Sequence, residues 1–406
     1  MSSLGLTGAS PFRHSKNSTT LILKPIMKES LPLPSTLICL SHLRWDFVYQ
    51  RPQHLLTRFA AQAKVYFYEE PILDGIEESY LNISDRGTNL HVVVPHLQQG
   101  LNEEQKKLAL TALFDQFVTE FNLEETIFWY YTPMALQYSE NHKPKVVVYD
   151  CMDELSGFKF ADSQIGEYEQ QLFAIADVVF TGGHSLYQAK KQFHANIHPF
   201  PSSIEKQHFA SAQTIEEAAE QRAIAGPKIG FFGVIDERFD TQLIAELATN
   251  RPDWNIILIG PIVKIDPSTL PRNQNIHYLG QQSYSELPQY LAGWDVAMLP
   301  FLLNESTRFI SPTKTPEYLA ANIPVVSTPI QDVISPYGDL QLVHICPNSS
   351  SFAEAIEKEL ETKDRSEWEA NVAAFLKNIS WDQTQIDMAE KIHQCIGNKQ
   401  NISIAS

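Results

Sequence analysis

From Thr36 onward, short apolar runs of strand length alternate with polar stretches that carry a helical apolar stripe. In the first half the strand-like runs fall at 36–41, 64–68, 90–94, 126–130, 145–149 and 177–181. Helical patterns fall at 52–63, 104–121, 164–175 and 185–193. Leu55, Leu56, Phe59, Ala60 and Ala63 show the stripe, since spacings of three and four put them on one helix face. The strand-like runs are apolar at consecutive positions, which predicts parallel sheet covered by helices on both faces.

The alternation pauses at 205–226, a polar, Ala-rich stretch without a strand signal, and this predicts a crossing between two domains. It restarts at Pro227, with strand runs at 228–233, 255–260, 275–279, 295–299, 323–328 and 340–345. Leu243 and Leu247 mark a helix over 240–249. Trp368, Val372, Phe375 and Leu376 mark another. S/T-x-x-E capping patterns stand at Ser283/Glu286, Ser351/Glu354 and Ser366/Glu369. The chain therefore reads as α/β, two doubly wound domains of similar size facing a central cleft. Ligands of such sheets lie outside the carboxyl ends of the strands. The expected divisions are a flexible arm (1–35), a first domain (36–204), a linker (205–226), a second domain (227–380) and a C-terminal helix with tail (381–406).

Composition narrows the function. Of 406 residues, 43% are hydrophobic and 19% charged, which excludes wholesale disorder. The net charge is −17 and no Lys/Arg run exceeds two residues, so nucleic acid is not an expected partner. No apolar run approaches the ~18 residues of a membrane span. The N-terminus lacks a signal-peptide apolar region. Cys39, Cys151, Cys346 and Cys395 are widely spaced, which argues against disulfides and zinc and for a cytoplasmic location.

The richest segment for chemistry is 308–328, RFISPTKTPEYLAANIPVVST. Ser311-Pro312 and Thr315-Pro316-Glu317 are successive N-cap signals, placing a helix start in a loop after a strand. Backbone N–H groups there, with the charge of Lys314, would suit a diphosphate. Glu317 could accept hydrogen bonds from two vicinal hydroxyls. The bland alternative is a surface lysine and a first-turn glutamate.

This stretch resembles the S-P-x-K-x-x-E-Y-L-A-x-x-x-P-V-V-S/T segment of GT-B glycosyltransferases. Ser311, Pro312, Lys314, Glu317, Tyr318, Leu319, Ala320, Pro324, Val325, Val326 and Ser327 match. The resemblance implies two Rossmann-like domains, with Lys314 and Thr315 at the donor diphosphate and Glu317 on the ribose of a nucleotide sugar. Phe309 stands where many retaining members carry a second glutamate, which leaves the stereochemistry open.

Further candidates lie in other strand-end loops. In KIGFFGVIDERFD (228–240), Gly233 would let a ligand approach the backbone, and Arg238 could clamp phosphate. The rival for Arg238 is a salt bridge with Asp236, Glu237 or Asp240. The resemblance also implies that Gly280 lies near the base, with Tyr284 stacking on it or packing in the core. SHLRWDFVYQRPQHLL (41–56) resembles the W-D-x-x-x-Q-R-P-Q-x-L opening of some bacterial cell-surface glycosyltransferases. Its His42, Arg44, Trp45, Asp46 and Arg51 are the acceptor candidates, against local capping or packing. Asp153 is the candidate general base, with Asp150 and Glu154 as rivals. Ser185 reads as an N-cap.

No His/Asp/Glu pattern suggests a metal, and no cofactor is expected. Lys314 and Arg238 would neutralise the leaving diphosphate instead. The expected function is metal-independent transfer of a sugar from a nucleotide diphosphate donor to a glycan or lipid-linked saccharide, in envelope polysaccharide synthesis. Peripheral contact with the inner face of the membrane stays open. The alternatives are a nucleotide-sugar 2-epimerase on the same architecture and a non-catalytic sugar-nucleotide-binding scaffold.

Overall fold

The computed structural model describes residues 33–74, 78–159 and 161–405. The arm expected over 1–35 lies outside them, apart from 33–35. Two sheets organise the chain. The nine-stranded N-terminal sheet runs Ile72–Leu73, Leu90–Leu97, Lys64–Tyr68, Thr36–Leu40, Thr126–Tyr130, Val146–Cys151, Val178–Thr181, Ile197–Pro199. These strands are parallel, and Tyr80–Gly87 adds an antiparallel edge on Leu90–Leu97. The six-stranded C-terminal sheet is wholly parallel: Ile276–Gly280, Asn255–Ile259, Lys228–Phe232, Val296–Leu299, Val325–Ser327, Val343–Ile345. Numbered along the chain within this sheet, the strands run 3-2-1-4-5-6. That is the doubly wound order, with a crevice where strand order reverses.

The consecutive apolar runs do cover both faces. Leu37 and Cys39 pack with Leu55, Phe59, Met388 and Ile392. Ile38 and Leu40, pointing the other way, pack with Phe114, Phe117 and Leu172. The long helix Trp381–Ala405 thus covers the N-terminal sheet beside the helix Arg51–Phe59. No helix among the described residues is long and apolar enough to cross a membrane.

Two features depart from the sequence reading. The edge strand Tyr80–Gly87 has no counterpart in it, because YLNISDRG is mostly polar and largely solvent-facing. Residues 205–226 do not form a free linker. Phe209, Ala212 and Ala218 join the C-terminal core. Gln221, fully buried, donates to Tyr290 O at 2.9 Å and accepts from Trp294 Nε1 at 2.8 Å. The apolar positions are too sparse to show a period, so only contact with the second domain reveals their role. The crossing itself is short and adjoins the return: Trp381 N donates to Ile204 O at 3.3 Å.

A buried ion pair ties helix to sheet in the first domain. Arg51 Nε and Nη2 meet the two oxygens of Asp150 at 3.0 and 2.9 Å, and Nη1 donates to Phe200 O at 2.7 Å. Breaking a buried pair leaves an uncompensated charge. Arg51→Met is therefore expected to lower stability by about 3–5 kcal/mol in urea unfolding. Arg86→Met, which opens the exposed pair with Asp46, should cost about 1 kcal/mol or less. Equal costs would contradict this assignment.

Candidate functional site

The carboxyl ends of both sheets open onto one cleft with a cavity of about 650 Å³. Its walls are the loops after the strands, as the parallel order requires. On the C-terminal side the first strand ends at Phe232, and Gly233 follows with φ +140°. A Cβ at Gly233 would overlap Lys314 Cε. Gly233 thus makes room for the Lys314 side chain, where the sequence suggested room for the ligand itself. The next strand ends stack close by. Gly233 N donates to Ile259 O at 2.8 Å and Gly260 N to Gly280 O at 2.7 Å.

Lys314 opens the helix Lys314–Ala320, so the helix starts earlier than a Thr315 cap would place it. Thr315 lies within the first turn, fully buried, and its Oγ1 has no hydrogen-bond partner. Pro316 is tolerated there because first-turn N–H groups lack intrahelical partners anyway. Tyr318 anchors the helix, its hydroxyl accepting from Phe232 N at 3.0 Å. Lys314 and Glu317 both line the cavity. Burial pulls the Lys314 ammonium down against the opposing effect of Glu317. Burial pushes the Glu317 carboxyl up against Lys314.

Arg238 also lines the cavity. Its Nε meets Asp236 Oδ1 at 3.0 Å and its Nη2 meets Oδ2 at 2.6 Å. Its guanidinium carbon lies 5.4 Å from the Phe158 ring centroid. The proposed salt bridge and the proposed site position therefore coexist, with Asp236 aiming the arginine. Across the cleft, the three carboxylates after Val146–Tyr149 separate. Asp150 is consumed by Arg51, and Glu154 pairs with Lys190 at 2.8 Å. Asp153 alone of the three lines the cavity. Burial pushes its carboxyl up, opposed by the Arg238 and Arg51 charges.

Residues 226–362 match the family model described as Glycosyl transferases group 1. That match takes in about a third of the chain, all of it from the C-terminal sheet and its flanking helices. Over 236 residues the chain is 25% identical to a Bacillus subtilis (strain 168) protein assigned as the teichuronic acid biosynthesis glycosyltransferase TuaH. That match covers 54% of this chain and 59% of the relative, so it spans less than two thirds of that protein. Among solved structures, the α,α-trehalose 6-phosphate synthase of Burkholderia multivorans is 12% identical with a TM-score of 0.64. It covers 91% of this chain and 98% of its own. The sucrose-phosphate synthase of Thermosynechococcus elongatus is 12% identical with a TM-score of 0.60, over 91% and 98%. The likeness is one of fold: two Rossmann-like domains in the GT-B arrangement.

Opposite the C-terminal domain, the 41–56 loop commits several of its candidate side chains to partners within the protein. Arg44 is taken up by Glu69 Oε2 at 2.9 Å and by two carbonyls, and Arg51 by Asp150. Asp46 faces solvent and pairs with Arg86 at 2.6 Å. Trp45 is 9% exposed, edge-on to Phe67 at 5.1 Å. His42 lies outside the cavity lining. Burial lowers its pKa to about 4, and its Nδ1 has no partner. The partners of Arg44, Asp46 and Arg51 all come from outside the loop, from Glu69, Arg86 and Asp150. Trp45, Asp46 and Arg51 nevertheless border the cavity, and Phe47 and Tyr49, exposed by 39% and 38%, line it beside them. The alternation Trp45, Phe47, Tyr49 was a usable signal for them.

Tyr284 lines the cavity within an aromatic group, stacked with Tyr49 at 4.5 Å and His208 at 4.6 Å. Gly280 (φ +72°) adjoins the lining residue Gln281, whose Nε2 donates across the cleft to Phe47 O at 2.6 Å. Ser185 is not the cap of its helix. Gly183 is, and Asp332 from the C-terminal domain accepts from Ser185 N at 2.9 Å.

If Gly233 exists to seat Lys314, Gly233→Ala should weaken nucleoside diphosphate binding roughly tenfold or more, the worth of one charge-assisted contact. Adding Lys314→Ala to that variant should change little further. Fully additive losses in calorimetric titration would contradict the coupling.

Proposed function

We propose that this chain transfers a sugar from a nucleoside diphosphate sugar to an acceptor hydroxyl, with no metal needed. The observation that carries the reading is the meeting of Lys314 and Arg238 in the cavity, with Asp153 on its opposite wall. Two cations beside a crevice at the switch point suit a leaving diphosphate. They do so best where charge develops in the transition state. Glu317 would hold the ribose, Gly280 and its neighbours the base, and Tyr284 the wall beside it.

In the reaction the acceptor oxygen bonds to the anomeric carbon as the carbon–phosphate oxygen bond breaks. The nucleoside diphosphate leaves with the bonding electrons. In a direct displacement Asp153 takes the acceptor proton. If configuration is retained, the leaving phosphate takes it and Asp153 orients the acceptor. The elevated pKa of Asp153 favours the first role.

Among the described residues that line the cavity from the N-terminal half, the one cation is Arg51, which is paired with Asp150. Phe47 and Tyr49 offer ring faces instead. An uncharged saccharide face suits this wall better than a phosphate. A glycan or lipid-linked saccharide of an envelope polysaccharide is the acceptor we favour, in keeping with the Bacillus relative. Four free cysteines fit a reducing, cytoplasmic setting, with peripheral membrane contact at the acceptor an open extension.

The test is thermal stabilisation by a panel of nucleoside diphosphates. At 100 times its dissociation constant a ligand adds about 2.7 kcal/mol. One nucleotide should stabilise wild type and lose its effect in Lys314→Ala and Glu317→Ala. Absence of any shift in wild type would remove the donor site.

With an acceptor in hand, kcat/KM should rise with pH along an acidic limb above the ordinary aspartate range of about 3.9. The sign follows because a base acts deprotonated and its pKa is raised. Asp153→Asn should abolish that limb and cost roughly 10²–10⁴ in rate. A variant with near wild-type turnover would exclude Asp153 as base.

A further inference from the structure

Behind the reaction cleft lies a second cavity of about 320 Å³. The two are parted by a bridge between domains. Ser202 Oγ donates to Ser311 O at 2.7 Å, and both residues border both cavities. The cavity sits where the chain crosses to the second domain and returns, so both domains and the returning helix wall it.

Two of its wall groups are buried and unsatisfied. Asp332 is 5% exposed. Its Oδ1 holds Ser185 N, while Oδ2 has no hydrogen-bond partner. Gly183 keeps the space beside that oxygen clear, since a Cβ there would overlap it. Ser203 is 2% exposed, and its Oγ likewise lacks a partner. Buried polar atoms are rarely left unpaired, and each exception calls for a reason.

The remaining wall matches one kind of ligand. Asn378, Gln383 and Thr384 present amides and a hydroxyl, and Phe200 and Tyr337 present rings. A carboxylate accepts from hydroxyls, an amide both donates and accepts, and a ring packs against the C–H face of a sugar. Among the described residues no Lys or Arg lines the cavity, and its two carboxylates, Asp332 and Asp387, outnumber its one histidine, His184, which disfavours an anion. Its volume is near the lower end for small-ligand pockets, about 300–1,000 Å³, which suits a single ring.

We infer that this cavity is a second binding site, for a neutral monosaccharide or similar polyol, distinct from the reaction cleft. Ser311 lies three residues before Lys314, so an occupant touching Ser311 would link the two domains and steady the loop that presents the lysine. Coupling of this kind is reciprocal: the sugar and the nucleotide would strengthen each other's binding.

The experiment uses the full chain with D-glucose, N-acetyl-D-glucosamine and glucose 6-phosphate, read by saturation-transfer NMR and by melting temperature. Thr384→Leu fills the cavity, Asp332→Asn removes the charge while keeping an oxygen for Ser185, and Phe47→Ala alters only the reaction cleft. A neutral sugar should bind wild type and Phe47→Ala alike. It should bind Thr384→Leu and Asp332→Asn roughly tenfold or more weakly, a loss that dissociation constants resolve. Sugars stabilise any protein at high concentration, so the difference from Thr384→Leu is the readout. If Thr384→Leu melts early without ligand, Gln383→Leu takes its place.

The proposal is overturned if no neutral sugar binds wild type, which makes the cavity a water pocket. It is also overturned if binding survives cavity filling, is lost in Phe47→Ala, or favours glucose 6-phosphate. Nucleoside diphosphate stabilisation, run alongside, reports the reaction cleft, so either reading can fail alone.

Discussion

A parallel strand can be followed by another only through a crossover that returns the chain to the starting edge. Every strand of the C-terminal sheet, and all but one of the N-terminal sheet, therefore ends on the same side as its neighbours. That constraint delivers the loops after Leu40, Cys151, Phe232, Ile259, Gly280 and Leu299 to a shared cleft. Residues hundreds of positions apart meet there without any local sequence relation. The 3-2-1-4 order adds the crevice, because the loops on either side of the reversal diverge.

Within this frame the site depends on close approach of backbone and cation. Lys314 reaches the strand end only because Gly233 lacks a side chain, and its helix is held there by Tyr318. Arg238 is aimed by Asp236. Both cations are thus placed by groups that need not touch a ligand themselves. Burial lowers the pKa of Lys314, so an arriving diphosphate would meet a cation that gains from the added negative charge.

The two domains are joined by more than the chain. Gln281 donates to Phe47, Ser202 to Ser311, and Asp332 receives Ser185. The outgoing and returning segments run together at Ile204 and Trp381. Trp381 stacks on His54 at 4.7 Å, and His54 lies edge-on to Tyr284 at 5.3 Å. The aromatic wall of the cleft is therefore continuous with the crossing, and a change at either would be felt at the other.

The amino-acid sequence determined the layout: consecutive apolar runs fixed parallel, doubly covered sheets, and the restart at Pro227 fixed two of them. It also marked Lys314, Glu317 and Arg238 as cleft candidates, because strand-end position and residue type are local properties. It did not determine which polar groups remain free. Arg51 and Arg44 looked like ligands for an anion, but Asp150 lies 99 residues away and Glu69 25, and only folding brings them together. Asp150, Asp153 and Glu154 are indistinguishable as text, and the tertiary partners Arg51 and Lys190 decide between them. The polar segment 205–226 and the edge strand Tyr80–Gly87 were hidden for the same reason. Pattern reports how a residue meets water along its own element, whereas pairing of charges and burial of amides depend on what the rest of the chain puts beside them.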